Sequence, residues 1–352
     1  MAPLVSYFTD FLQRIRPTDS DRLAFITAHT GLRQLLMADQ QTARLIVSIF
    51  LQGSYRRATA IRAYQGHQPD VDVVVVTRLS SQEYSAAQAQ NVFKPFLREH
   101  YPNQWGTNER SLTIKEDGVK LDLVVTSAPA YADVGILSGE ASADSTAEDD
   151  GGTTETDNAL WKLEPLLIPD RQAASWQATH PLAQLAWTRS KNRQTNGSFV
   201  NVVKALKWWK RITQGMPKHP RSYPLERLIG ECCPNDISDV ASGIARTLEA
   251  IASSYCGAAQ AGQVPHLPNH GIPGQNVFAR VPSEDFRAFM ERVNGAARLA
   301  RRALDCGDIA ESASLWRELL GDEFPAAGSS GSSSGGFSPR TSASVIGAGR
   351  FG

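Results

Sequence analysis

The run Asp70-Val71-Asp72-Val73-Val74-Val75-Val76 constrains this chain most. It is rich in β-branched residues and too short for a typical helix, which predicts a buried strand over residues 71–77. Side chains alternate across a strand, so Asp70 and Asp72 share one face. A second run, Val119-Lys120-Leu121-Asp122-Leu123-Val124-Val125, alternates too, with Leu121 and Leu123 opposite Lys120 and Asp122. With the two strands as neighbours, the carboxylates of Asp70, Asp72 and Asp122 converge. Uncompensated, such anions repel and raise one another's pKa. A divalent cation resolves the conflict, and hard carboxylate oxygens with no His or Cys nearby suit Mg²⁺ or Mn²⁺. Two such ions about 3.5–4 Å apart stabilise the attacking and leaving oxygens of an in-line displacement. Taken alone, Asp-x-Asp is more often a solvated strand edge. The valine run that follows argues for an interior strand instead.

Gly53-Ser54 closes an earlier apolar run, Leu45-Ile46-Val47-Ser48-Ile49-Phe50-Leu51. Glycine there permits a tight turn and close backbone approach. The segment 54–60 reads as a helix start, whose free N–H groups and Ser54 hydroxyl would form an anion site. Taken alone, Gly-Ser is an ordinary turn.

A helix is predicted from Phe199. At about 100° per residue, Lys204, Lys207 and Arg211 fall in a stripe about 60° wide. Phe199, Val203 and Leu206 lie on the facing side. Taken alone, the stripe is as readily a solvated basic face as a second site. Trp208 and Trp209 are packing residues that cannot both face the core. Ser222-Tyr223 precedes a Pro, and Tyr223 alone reads as a core aromatic.

Together these residues resemble the cGAS/DncV-like nucleotidyltransferases (CD-NTases) of bacterial anti-phage signalling. The likeness extends to Thr179-His180-Pro181-Leu182-Ala183-Gln184, the Lys207-Trp208-Trp209 segment, Ser222-Tyr223-Pro224-Leu225-Glu226 and Leu315-Trp316-Arg317-Glu318-Leu319-Leu320-Gly321. Gln52-Gly53-Ser54 with Pro69-Asp70-Val71-Asp72 most resembles the CdnD subgroup. The resemblance implies an α+β fold: a polymerase-beta-like core with a mixed sheet, a helical C-terminal lobe and a cleft between. It implies that Asp70, Asp72 and Asp122 hold two metal ions, Mg²⁺ or Mn²⁺. It implies that Gly53, Ser54, Lys207 (Lys204 in reserve), Ser222 and Tyr223 bind nucleotide, with Tyr223 stacking on a base. Its substrates would be ATP and GTP, and its product a cyclic oligonucleotide, best matched to a trinucleotide. A linear tailing or small-molecule nucleotidyltransferase, or an inactive nucleotide-binding scaffold, are the other readings.

Length and composition fit this scheme without choosing it. The 352 residues suit one large or two medium domains, and 41% hydrophobic residues suffice for a sizeable core. Lys+Arg and Asp+Glu are both 36, which argues against a long nucleic acid as obligate ligand. No run is long enough to span a bilayer and no leader opens the chain, so a cytoplasmic protein is expected. Cys232, Cys233, Cys256 and Cys306 form no spaced metal pair and read as buried reduced thiols. His266 and His270 have helical metal spacing, but Pro265 and Pro268 break any helix there, so no structural zinc is expected.

The expected organisation is a catalytic core over 1–160, a helical lobe over 161–325 and a Gly/Ser-rich tail over 326–352. The core includes an N-terminal helix and an acidic, flexible insertion near 135–158. The tail cannot offset its ordering entropy and is expected to be disordered. It ends Gly349-Arg350-Phe351-Gly352. This ending resembles family tails joined to other molecules by a partner related to ubiquitin-transferring enzymes, which makes Gly352 a conjugation candidate. A frayed terminus is the other reading.

Overall fold

The computed structural model describes residues 4–66, 70–116, 118–129 and 160–328. The expected acidic insertion, most of the tail and Gly352 lie outside the described residues.

The expected strands form and pair. β1 (Ile46–Gln52) runs antiparallel to β2 (Asp70–Thr77), and β2 runs parallel to β5 (Val119–Ser127). β3 (Trp105–Thr107) and β4 (Leu112–Glu116) extend the sheet in the order β1-β2-β5-β4-β3. β6 (Leu166–Asp170) joins β5 through Ser127 and Leu167, and β7 (Ser175–Thr179) pairs with β6. The sheet is therefore mixed, as expected. The β6–β7 hairpin corrects the reading that strands end before 161. Its sequence lacks the valine-rich pattern of an interior strand.

Alternation along β2 and β5 sorts their side chains onto two faces. Val71, Val73, Val75, Leu121 and Leu123 pack against α2 (Asp19–Ala38), which contributes Phe25, Leu32 and Leu36. α2 is held at its start by a capping box between Thr18 and Asp21, which satisfies two otherwise orphaned backbone donors. A one-turn α3 (Gln40–Ala43) leads from α2 into β1. After β1 a second single turn, α4 (Gly53–Arg56), begins the path to β2. α5 (Ala86–Asn91) and α6 (Lys94–His100) follow β2, and Phe96 and Leu97 of α6 complete this core. The other face buries Val74, Val76, Val124, Leu166 and Ile168. That face also carries Asp70, Asp72 and Asp122.

The helical lobe comprises α7 (Pro181–Gln194), α8 (Ser198–Ile212), α9 (Ser222–Cys232), α10 (Val240–Gln260), α11 (Ser283–Asp305) and α12 (Ile309–Leu320). α8 is its central helix: residues 202–209 are buried without a break. A helix surrounded on all sides has no solvated face. Trp208 and Trp209, expected not to share the core, are therefore both buried. Trp208 donates its indole N–H to the Leu320 carbonyl at 3.0 Å and meets Tyr64 edge-on, while Trp209 packs against Phe289.

The N-terminal helix α1 (Val5–Ile15) sits in this second lobe rather than in the catalytic core expected over 1–160. Phe8 meets Trp316 and Phe324 edge-on, each with ring centroids 5.0 Å apart. The chain thus starts in one lobe, builds the sheet and returns. Of the cysteines, Cys233 is buried and the other three are half-buried, which corrects the expectation that all are buried. No described helix is long and apolar enough to cross a membrane.

Because fully buried Phe324 ties α1 to α12, Phe324→Ala is expected to cost about 3–5 kcal/mol. An unchanged urea midpoint would contradict this account of how α1 and α12 are joined.

Candidate active site

The parallel pairing of β2 and β5 sets Asp72 opposite Asp122 and Asp70 opposite Lys120. β1 sets Gln52 beside Asp72, so the Gly53 turn begins next to the same carboxylate. Gly53 has φ +75°, and a Cβ there would lie 1.8 Å from Asp72 Oδ2. Both the left-handed backbone and the close approach therefore demand glycine. Ser54 is half-buried in α4, and its carbonyl accepts the Thr59 N–H at 2.9 Å.

The three aspartates differ in environment. Asp122 is buried; its Oδ1 accepts from Thr113 Oγ1 at 2.5 Å and from Asn108 Nδ2 at 3.3 Å. Lys120 Nζ bridges Asp122 Oδ2 at 3.1 Å and Asp70 Oδ2 at 3.2 Å. Burial works against the Lys120 charge, but Asp122 and Asp70 hold its pKa above the ordinary lysine value. Burial, together with the charges of Asp70 and Asp122, pushes the Asp72 carboxyl up to about 7. Such frustration is what a cation relieves, and all the donors are hard oxygens. The residues therefore fit a divalent metal, with the Lys120 ammonium supplying positive charge between two of them.

The nucleotide-binding candidates lie across the cleft on α8 and α9. Lys207 is not on a solvated basic stripe. It is buried, donating to Glu226 Oε1 at 2.8 Å and to the Thr59 carbonyl at 2.9 Å. Lys204 is buried as well, and Arg211 donates to the Arg62 carbonyl at 2.7 Å. Ser222 is exposed at the start of α9. Tyr223 is half-buried, with its hydroxyl donating to Asn269 Oδ1 at 2.9 Å and the Arg57 guanidinium 5.4 Å from its ring centroid. Burial pushes its phenol up to about 12, so it stays a neutral donor.

Several site residues escaped the sequence reading. Thr113 was legible only through strand register, standing opposite Asp122 on β4, and Asn108 reaches the same carboxylate from the turn between β3 and β4. Glu226 was marked by being an acid between Leu225 and Leu228, a pattern that places a charge in a buried face. Arg57 carried no such mark. His270 stacks on Trp187 at 3.4 Å along the same cleft. Burial, then the nearby Arg227, lowers its pKa to about 3, so it is neutral. Among the described residues, Asp39, Glu99 and His100 also bring ligand atoms within 4.8 Å of one another.

A mixed sheet presenting three carboxylates beside a Gly-Ser turn, facing a helical lobe, is the arrangement of a polymerase-beta-like nucleotidyltransferase. The family model for the Second Messenger Oligonucleotide or Dinucleotide Synthetase domain matches residues 2–130. A cyclic AMP-AMP-GMP synthase from Enterobacter hormaechei subsp. hoffmannii is 37% identical, over 98% of both chains. A cyclic AMP-AMP-AMP synthase from Acinetobacter sp. is 30% identical, over 90% of this chain and 84% of that protein. The fold is shared with Escherichia coli MS115-1 CdnC solved with ATP: TM-score 0.64, 17% identity, covering 91% of this chain and 98% of that one. Bradyrhizobium diazoefficiens CdnG with GTP gives a TM-score of 0.67 at 13% identity, covering 92% and 97%. The chain belongs to the cGAS/DncV-like nucleotidyltransferases, the CD-NTases, and is a cyclic oligonucleotide synthase. The family generally uses divalent metal ions.

The raised Asp72 pKa has a consequence for stability without metal. The folded value lies above the unfolded 3.8, so the associated stabilisation is full below 3.8 and is lost as pH rises through about 7. Asp72→Asn should remove that loss. Thermal melts in EDTA should show the variant gaining on wild type as pH rises across this window. A constant difference would disprove the assigned environment.

Proposed function

We propose that the chain condenses ATP and GTP into a cyclic trinucleotide second messenger with release of pyrophosphate, as a CdnD-like enzyme of anti-phage signalling. The observation that carries this reading is the convergence of Asp70, Asp72 and Asp122 beside the Gly53-Ser54 turn. Two relatives, a cyclic AMP-AMP-GMP synthase and a cyclic AMP-AMP-AMP synthase, support a three-membered ring. Their shared ring size supports the trinucleotide more strongly than the choice of bases.

In each step a ribose 3′-hydroxyl attacks the α-phosphorus of a second nucleoside triphosphate. A new P–O bond forms, and the bond to pyrophosphate breaks. Gly53 and Ser54 cradle the leaving phosphates through backbone N–H and hydroxyl donors. Lys207 and Ser222 add donors from the helical lobe, and Tyr223 offers its ring to a base. Asp70, Asp72 and Asp122 would hold two ions, Mg²⁺ or Mn²⁺, which would supply Lewis acidity to the displacement. Thr113 and Asn108 keep one oxygen of Asp122 occupied and so fix the direction of the other. With Gly352 as the free carboxylate, a ubiquitin-transferase-like partner would adenylate it with ATP and release pyrophosphate, its thiol would displace AMP to form a thioester, and a target amine would then displace the thiol to form an amide. The small residues of the ending support this step.

Incubation with labelled ATP, GTP, CTP and UTP, followed by phosphatase, tests the activity. A small phosphatase-resistant product is expected with ATP and GTP; a ladder would mean tailing instead. Asp70→Asn with Asp72→Asn should abolish product, and full activity in that double variant would refute the assigned site. Tyr223→Ala should weaken nucleotide binding by about 1–3 kcal/mol. Removal of residues 350–352 should leave synthesis intact and end conjugation. Undiminished conjugation would rule out the Gly352 role.

A further inference from the structure

One carboxylate joins the two lobes behind the nucleotide cleft. Glu226 Oε2, on α9, accepts from Arg57 Nε at 3.1 Å and from Thr59 Oγ1 at 3.0 Å, both from the loop after α4. Its Oε1 accepts from Lys207 Nζ on α8 at 2.8 Å. Lys207 returns to the loop through the Thr59 carbonyl. The side chains of Arg57, Lys207 and Glu226 are only 10%, 7% and 7% exposed. Burial opposes ionisation of Glu226, yet Arg57 and Lys207 hold its pKa at about 2. Two basic side chains, Arg57 and Lys207, thus share the one carboxylate of Glu226 at a place where water screens little. The further anion that Arg57 feels is Asp72 of the catalytic triad. Arg57 also lines a small cavity with Tyr223 and Thr59. Its guanidinium therefore stands between Glu226 and the aspartates, where an anion brought to the triad would meet it.

We propose that Arg57 is a phosphate-contacting residue and that Glu226 is the positioning residue that orients Arg57 and Lys207 toward the triphosphate. Resting on the nucleotidyltransferase reading above, this assigns its phosphate subsite to a side chain from each lobe. Without Glu226 the two buried basic side chains would repel, and the loop bearing Arg57 would part from α8.

The alternative is an ion cluster that only staples the lobes together. A mutant cycle separates the two. Arg57→Gln and Glu226→Gln, singly and together, are assayed for steady-state kinetics, for titration calorimetry with a non-hydrolysable ATP analogue and for thermal midpoint. The expectation is that each single variant weakens analogue binding and raises KM for ATP by about ten-fold or more. The double variant should then lie within about three-fold of the weaker single, because Glu226 acts through Arg57. Losses that multiply in the double variant, or a lowered midpoint with binding and KM unchanged, overturn the proposal. Thr59→Val removes one donor to Glu226 at nearly constant shape and serves if Glu226→Gln does not fold. It should raise KM by about three-fold in the wild-type background and not in Arg57→Gln; an equal rise in both backgrounds overturns the proposal. Wild-type protein that binds the analogue but makes no cyclic product would defeat the functional reading alone, leaving the binding arm to decide this one. Wild-type protein that binds no nucleoside triphosphate overturns both.

Discussion

The parallel pairing of β2 with β5 is the constraint on which the site depends. Each strand alone places carboxylates on one face, but only the register that sets Asp72 opposite Asp122 concentrates them. That register is held from the other face, where Val71, Val73, Leu121 and Leu123 are wholly buried against α2. A slip by one residue would turn the valines outward and the aspartates into the core. Hydrophobic burial on one face thus fixes an electrostatically unfavourable cluster on the other.

The cluster's repulsion is distributed rather than abolished. Lys120 spans two of the carboxylates, and Thr113 with Asn108 hold one oxygen of Asp122. Asp72 bears the remainder in its raised pKa. Gly53 lets the turn approach that same carboxylate. A site arranged this way is organised around positive charge, which the family's use of divalent ions supplies.

Across the cleft the helical lobe answers with the opposite sign. Arg57 comes from the sheet lobe and Lys207 from the helical lobe, and both meet on Glu226. A second strut lies nearer the chain end, where Arg62 pairs with Glu323 at 2.5 Å and stacks over Trp208. The loop between α4 and β2 is thereby fastened to the helical lobe at both Arg57 and Arg62.

Local pattern alone determined the faces of β2 and β5 and a turn at Gly53-Ser54, through period-two alternation and backbone sterics, which act between residues close in sequence. The mixed sheet with its helical lobe, and the family, were implied by the resemblance of whole motifs to the CD-NTases. Tertiary structure decided what stands on the other side of each face. The basic stripe of α8 was read correctly as a stripe, yet neighbours surround that helix, so Lys207 is buried on Glu226 instead of solvated. Trp208 and Trp209 both find cores for the same reason. The lobe to which α1 belongs, the β6–β7 hairpin and the role of Arg57 were likewise illegible, and the partners of Glu226 and Thr113 appear only in the fold. Each depends on a partner distant in sequence, and periodicity reports the direction of a side chain without naming what it meets.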